Sequence, residues 1–231
     1  MLALAYGESA AAVYSSTFDI AQSPLSEGGA WTNGGTDALD WTDVVTANGR
    51  ACGTHGGIGY DDSFAHLSGF APDHSIEATI YRTGSFTANQ EVELHLRWAS
   101  GPHLARGYEV LWPVDNYAGQ IMRWNGGLGD FTPLASFDAR RVPQDGDVLK
   151  AEIVGDTIHV YLNGVQLSTT PSTVRDGTWT DGNPGIGFFT RNPDQNLNFC
   201  FTSVLAQDGS LGHQPSPAGG RRERPRYPTA R

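Results

Sequence analysis

Polar and apolar residues alternate along much of this chain with a period of two. Over residues 91–98, Val92, Leu94, Leu96 and Trp98 fall on one side of an extended backbone, and Glu91, Glu93, His95 and Arg97 on the other. Residues 75–82 repeat the pattern, with Ile76, Ala78 and Ile80 opposite Glu77, Thr79 and Tyr81. Residues 108–112 and 120–124 read as further strands, with Pro113, Val114, Asp115 and Asn116 as a turn between them. A hairpin ladder follows: residues 147–154, a Gly155-Asp156 turn, residues 157–162, an Asn163-Gly164 turn and residues 165–167. Residues 185–190 and 198–206 supply two late strands. With about ten to twelve strands and almost no helical periodicity, the pattern predicts an all-β fold, an antiparallel two-sheet sandwich.

Composition agrees with that class. The chain has 231 residues, a length that one β-sandwich can fill, and its 29 Gly and 13 Pro exclude a helix bundle. The net charge of −10 argues against general attraction to nucleic acid or an anionic membrane. No run of 18 apolar residues is present, so no transmembrane helix or membrane insertion is expected. The charge is uneven, because Arg221, Arg222, Arg224, Arg226 and Arg231 crowd the end, after a Pro/Gly stretch from Gln214 to Gly220. Residues 209–231 therefore read as a flexible Pro/Gly/Arg-rich tail, residues 14–208 as the sandwich, and residues 1–13 as an N-terminal extension or signal-peptide remnant. That start, lacking a basic region but rich in small and apolar residues, points to a secreted or extracytoplasmic protein. Two cysteines, Cys52 and Cys200, allow one intramolecular disulfide or two buried thiols. A bridge closing so long a loop is worth about 4–5 kcal/mol on the chain-entropy model.

Several segments together, Phe18-Asp-Ile, Trp31-Thr-Asn, Asn48-Gly-Arg-Ala, Asp73-His-Ser-Ile-Glu-Ala, Arg106-Gly-Tyr-Glu-Val and Gly155-Asp-Thr-Ile-His-Val-Tyr-Leu-Asn-Gly, resemble the concanavalin A-like lectin/glucanase superfamily, near its laminin-G-like bacterial modules. The resemblance spans roughly Tyr14 to Gln207 and implies a jelly-roll sandwich whose first and last strands are neighbours, so that Phe18 to Ile20 meets Phe199 to Leu205. Such a closure brings Cys52 and Cys200 within pairing distance. The fold hosts lectins, glycanases, lyases and adhesion modules, so it does not fix the activity.

The candidate chemistry is that of a carbohydrate site. Glycoside hydrolases of this superfamily carry an acidic E-x-D-x-(x)-E strand. The nearest approach here is Glu91-Val-Glu93, whose carboxylates lie about 7 Å apart by the strand rise, and a solvated strand face accounts for that pair more simply. Lyase-like members use Arg, His, Gln and Tyr to neutralise a uronate and move its protons. In this chain the counterparts are Glu93, His95, Arg97 and Tyr108, with Arg123 and Tyr161 converging from neighbouring strands, although the Gln-x-His motif is absent. Sugar rings stack on flat aromatics beside polar groups, which makes Trp124 with Asn125, Arg123, Trp112 and Tyr161 the candidate binding set, and Trp31, Trp41 and Trp179 the reserve. The seven histidines lack zinc-ligand spacing. No cofactor is expected beyond structural Ca2+, for which the loop residues Asp37, Asp40, Asp43, Asp61, Asp62, Asp181 and Asp208 offer oxygen ligands. The expected role is glycan binding through a concave, aromatic-bearing sheet face. A lyase or glycoside hydrolase on the same face and a protein-binding adhesion module are the alternatives. The sugar, the linkage and the oligomeric state are not encoded in any motif.

Overall fold

The computed structural model describes residues 11–208 except 58, 85, 87 and 88. Two sheets face each other across one apolar core. The nine-stranded sheet runs Val165–Gln166, Thr157–Leu162, Val148–Val154, His74–Arg82, Phe199–Asp208, Ala51–Gly53, Val44–Thr46. Val13–Ser16 joins it beside Phe199–Asp208, and Val174–Arg175 beside Thr157–Leu162. The eight-stranded sheet runs Thr169–Thr170, Phe131–Asp138, Ala118–Gly126, Leu104–Pro113, Gln90–Gly101, Asn183–Thr190, Ser63–His66, Thr32–Asn33. The ladders between these strands are antiparallel, and helix among the described residues is limited to Gly34–Asp37 and Pro193–Gln195. The predicted sandwich is therefore observed.

The alternation read from the chain sets the packing. Ile76, Ala78 and Ile80 from one sheet meet Val92, Leu94 and Leu96 from the other, all fully buried. Each such aliphatic side chain contributes about 1.5–3 kcal/mol by leaving water. Local turn chemistry sets the register at the edges: Asn163 and Gly164 both take positive φ, 51° and 79°, as the two-residue hairpin between Thr157–Leu162 and Val165–Gln166 requires.

First-to-last closure holds, with a shift in the strand that performs it. Val13–Ser16, not residues 18–20, pairs with Phe199–Asp208, Ser16 lying opposite Val204. At Phe18 the backbone turns to φ 55° and the ring drops into the core, ending the strand. Cys52 and Cys200 are bonded, with Cα atoms 4.7 Å apart, because Ala51–Gly53 pairs with Phe199–Asp208 through Ala51 and Phe201. Strands at Ala51–Gly53, Ser63–His66 and Phe131–Asp138 escaped the periodicity reading. The first two are short and buried on both faces, and the third is interrupted by a bulge near Pro133. The N-terminal extension through residue 10 and the tail over 209–231 lie outside the described residues.

Candidate functional site

The strand Gln90–Gly101 presents two faces, and one irregularity decides what each carries. Opposite Leu104–Pro113 the register runs Leu96 to Tyr108 and then Ala99 to Arg106, so Arg97 and Trp98 together face a single residue, Gly107. This is a β-bulge, with Arg97 at φ 49°. Past it the alternation inverts. Trp98, expected among the core leucines, moves to the outer face and stacks on His95, ring centroids 3.8 Å apart at 11°. Arg97, expected beside Glu93 and His95, turns inward to the end of the sandwich. There its guanidinium donates to the carbonyls of Pro72, Trp179 and Gly155 and to the Asp73 carboxylate.

Tyr108 also leaves the expected groove. Its ring lies in the inter-sheet core, and its hydroxyl donates to Asp176 and accepts from the Trp179 amide. Arg123 binds the same segment through Asp176 and Thr178, and its Nε donates to Asn125. Trp112 is fully buried in the core, with its indole N–H on the Asn116 carbonyl. Tyr161 lies on the nine-stranded sheet against Glu152 and Lys150. The set Glu93, His95, Arg97 and Tyr108 is thus split between two faces. Of the proposed binding residues, Trp124 alone joins Glu93 and His95 on theirs. Trp31 is in the inter-sheet core, Trp179 packs beside it, and Trp41 belongs to the outer cluster with Phe64, Trp98 and Trp124.

That outer face of the eight-stranded sheet holds a cavity of about 210 Å³. Tyr60, Trp124, Phe131 and Phe189 form its aromatic walls, and Asp62, Glu91, Glu109 and Arg191 are its charged groups. Glu109 lies opposite His95 on the neighbouring strand, and the Trp124 indole donates to its carboxylate at 2.5 Å. Glu93 and His95 sit deeper, 3.3 Å apart. They fit there because Gly187 lies across from them: a Cβ on it would come 2.2 Å from Glu93 Oε2 and within 2.9 Å of the imidazole.

Burial governs the acid–base chemistry of this face. It pushes Glu91 up to about 7, opposed by the Arg191 charge, and Glu109 up to about 8, opposed by the Trp124 hydrogen bond. Burial and then the neighbouring Glu109 charge raise Asp62 and Glu93 well above the ordinary carboxylate range. His95 is held neutral by burial, reinforced by His66. The floor of the cavity at neutral pH thus offers protonated carboxyls as well as carboxylates, groups that both donate to and accept from hydroxyls.

Glu93, His95 and Glu109 also place one ligand atom each within 4.8 Å of one another. Sequence spacing gave no hint of a metal-ligand set because the donors come from two strands. Among the described residues, the acidic loops considered for calcium bring no three carboxylate or imidazole ligand atoms together. Asp37, Asp40, Asp43, Asp181 and Asp208 instead accept hydrogen bonds from Ser100, His103, Thr36, Arg106 and the Ala12 and Ala71 amides.

Neither a family model nor a curated protein matches the chain. Solved structures do. The carbohydrate-binding module CBM66 from Bacillus subtilis is 14% identical, with a TM-score of 0.51 over 80% of this chain and 95% of that one. The κ-carrageenase from Pseudoalteromonas carrageenovora, in complex with an oligotetrasaccharide of κ-carrageenan, is 9% identical at TM-score 0.54 over 90% and 99%. A κ-carrageenase from Zobellia galactanivorans is 12% identical at 0.52 over 85% and 93%. At these identities the likeness establishes the fold.

Proposed function

We propose that this protein binds glycan in the cavity on the outer face of its eight-stranded sheet. The observation that carries the reading is the meeting, in one cavity, of four aromatic side chains with a set of buried carboxyls. Aromatic faces suit the C–H surface of a sugar, and carboxyls in both protonation states suit its hydroxyls. Similarity in fold to a carbohydrate-binding module and to carrageenases supports the same reading. The disulfide fits a secreted or extracytoplasmic setting. The test is a glycan array followed by calorimetry on the best ligand, with Phe131→Ala as the companion variant. Binding that weakens about tenfold in Phe131→Ala supports the site, and binding untouched by it places the ligand elsewhere.

A second reading, hydrolysis at the same place, has one specific observation in its favour. Glu91 and Glu109 line the cavity with proton affinities raised to about 7 and about 8, the range in which a carboxyl acts as a general acid near neutral pH. Release of new reducing ends from polysaccharides, lost in Glu109→Gln, is the result that distinguishes it from binding alone. The lyase alternative loses its support, since Arg97 and Tyr108 face away from Glu93 and His95.

A further inference from the structure

We infer that the sugar unit held in this cavity carries a free amino group, as in a de-N-acetylated hexosamine, in place of a sulfate or a carboxylate. The inference rests on the glycan reading above and adds the chemical class of the ligand. The cavity is lined by the carboxyls of Asp62, Glu91 and Glu109, with Glu93 directly behind, against one guanidinium, that of Arg191. Arg191 serves Glu91 electrostatically and lies 5.8 Å from the Phe189 ring centroid. No basic side chain among the described residues forms an ion pair with Asp62 or Glu109, and Glu93 meets only the neutral ring of His95. The arginines borne by the neighbouring strands are committed on the other side of the sheet, Arg97 to Asp73, Arg106 to Asp181 and Arg123 to Asp176.

Buried carboxyls normally meet a cation or keep a proton. An ammonium group supplies both the charge and three N–H donors, which this constellation can accept. The aromatic walls favour it as well, since ring faces attract cations. A sulfate or uronate meets the reverse conditions: in a partly dehydrated cavity its charge opposes any ionisation of the surrounding carboxyls, whereas an ammonium draws their protons off and pairs with the carboxylates formed. At about 210 Å³ the cavity lies below the roughly 300–1,000 Å³ that drug-sized ligands occupy, which fits one sugar unit in place of a longer segment.

The experiment is calorimetry on the intact protein with four oligosaccharides of matched length: glucosamine oligomers, their N-acetylated forms, neutral glucose oligomers and sulfated κ-carrageenan oligomers. The expected result is saturable one-site binding of the glucosamine oligomer, at least tenfold tighter than its N-acetylated form, with no heat from the sulfated one. Asp62→Asn and Glu109→Gln, with folding checked by circular dichroism, should each reduce that preference severalfold, which separates the cavity from general attraction of a polycation to an acidic protein. Equal or tighter binding of the neutral or sulfated oligomer overturns the inference while leaving the glycan reading intact. So does an unchanged preference in both folded variants, or stoichiometric Zn2+ binding that displaces the glucosamine oligomer. Failure of all four sugars to bind removes the glycan reading itself.

Discussion

Two groups of buried ionisable side chains sit on opposite faces of the strand Gln90–Gly101, and they differ in how fully the protein satisfies them. On the inner face, Arg97 has three carbonyls and one carboxylate around its guanidinium, and its own amide donates to His74 Nε2 at 3.1 Å. His74 in turn donates from Nδ1 to the Ala71 carbonyl. On the outer face, Glu93 meets His95 at 3.3 Å, Glu109 meets the Trp124 indole, and His95 Nδ1 is buried without a partner in the described structure. A saturated buried charge is a structural joint, here tying the loop around Trp179 and the turn at Gly155 to the sheet. An unsaturated cluster beside a cavity keeps bonding capacity for something else.

The first way to break this contrast is to remove one member from each side. Arg97→Met leaves three carbonyls without their donor, while the half-exposed Asp73 keeps water and the Gly155 amide, and should lower unfolding free energy by about 2–4 kcal/mol. Glu109→Gln keeps the shape of a carboxyl that is already largely protonated at neutral pH, and should cost under about 1 kcal/mol or stabilise. Urea unfolding monitored by tryptophan fluorescence measures both. Equal losses would mean that the outer cluster is as structural as the inner joint.

The two regions should also answer pH with opposite signs. Burial holds His74 down to about 4, so the unfolded chain takes up its proton first as pH falls below about 6.5. Stability from this group is present above that point and is lost as pH falls toward 4, a change on the order of 3 kcal/mol at 1.4 kcal/mol per unit. Glu91 and Glu109 behave conversely. Their folded-state values, about 7 and about 8, lie above the ordinary 4.5, so the folded protein keeps protons that the unfolded chain has released. Their contribution is complete below about 4.5 and disappears as pH rises to 7–8. His74→Gln should flatten the acid limb of a stability–pH curve and Glu109→Gln the alkaline limb. If each variant instead altered the other limb, the assignment of the limbs to the two faces would be wrong.

The contrast explains what could be read from the chain and what could not. Alternation at residues 75–82 and 91–96 gave the sheets and the inter-sheet core, because period two is a property of the backbone alone. The bulge at Arg97 broke the reading four residues before the strand ends. Nothing local announces it, since the inversion depends on Gly107 in the strand on one side and Gly182, just before the strand on the other, coming close to the Arg97 backbone. Glu109 was legible in principle: it alternates with Tyr108 and Val110, and the hairpin register sets it opposite His95. Asp62, Phe131 and Phe189 reach the cavity from strands or strand ends distant in sequence, and only the order of strands in the sheet brings them together.

Two glycines sharpen the comparison at a smaller scale. A Cβ on Gly182, whose φ is +126°, would lie 2.1 Å from the Arg97 carbonyl oxygen, a backbone atom fixed by the bulge. A Cβ on Gly187 would strike the end of the Glu93 side chain at 2.2 Å and the His95 ring within 2.9 Å, side chains that can shift where a backbone cannot. Gly182→Ala should therefore cost about 3 kcal/mol, near the top of the overpacking range, and Gly187→Ala about 1 kcal/mol. Thermal unfolding reads the difference. Gly187→Ala should also weaken ligand binding, since it displaces Glu93 beneath the cavity, and Gly182→Ala should leave affinity unchanged in the fraction that folds.

The smallest effect locates the ligand without disturbing either group. Tyr60 is 52% exposed at the mouth of the cavity, edge-on to Phe131 with ring centroids 5.5 Å apart. An exposed ring of this kind contributes little to stability, so Tyr60→Ala should change unfolding free energy by less than about 0.5 kcal/mol. As a stacking wall it should contribute about 0.5–1.5 kcal/mol to glycan binding, a loss of roughly two- to twelvefold in affinity. Tyr161→Ala is the matched control: it removes an aromatic from the nine-stranded sheet, where the hydroxyl bonds Glu152 Oε2, and should leave binding as it was. Calorimetry on the pair gives a direct answer. If Tyr161→Ala weakens binding and Tyr60→Ala does not, the glycan sits on the other sheet, and the unsaturated carboxyls beside Trp124 need another explanation.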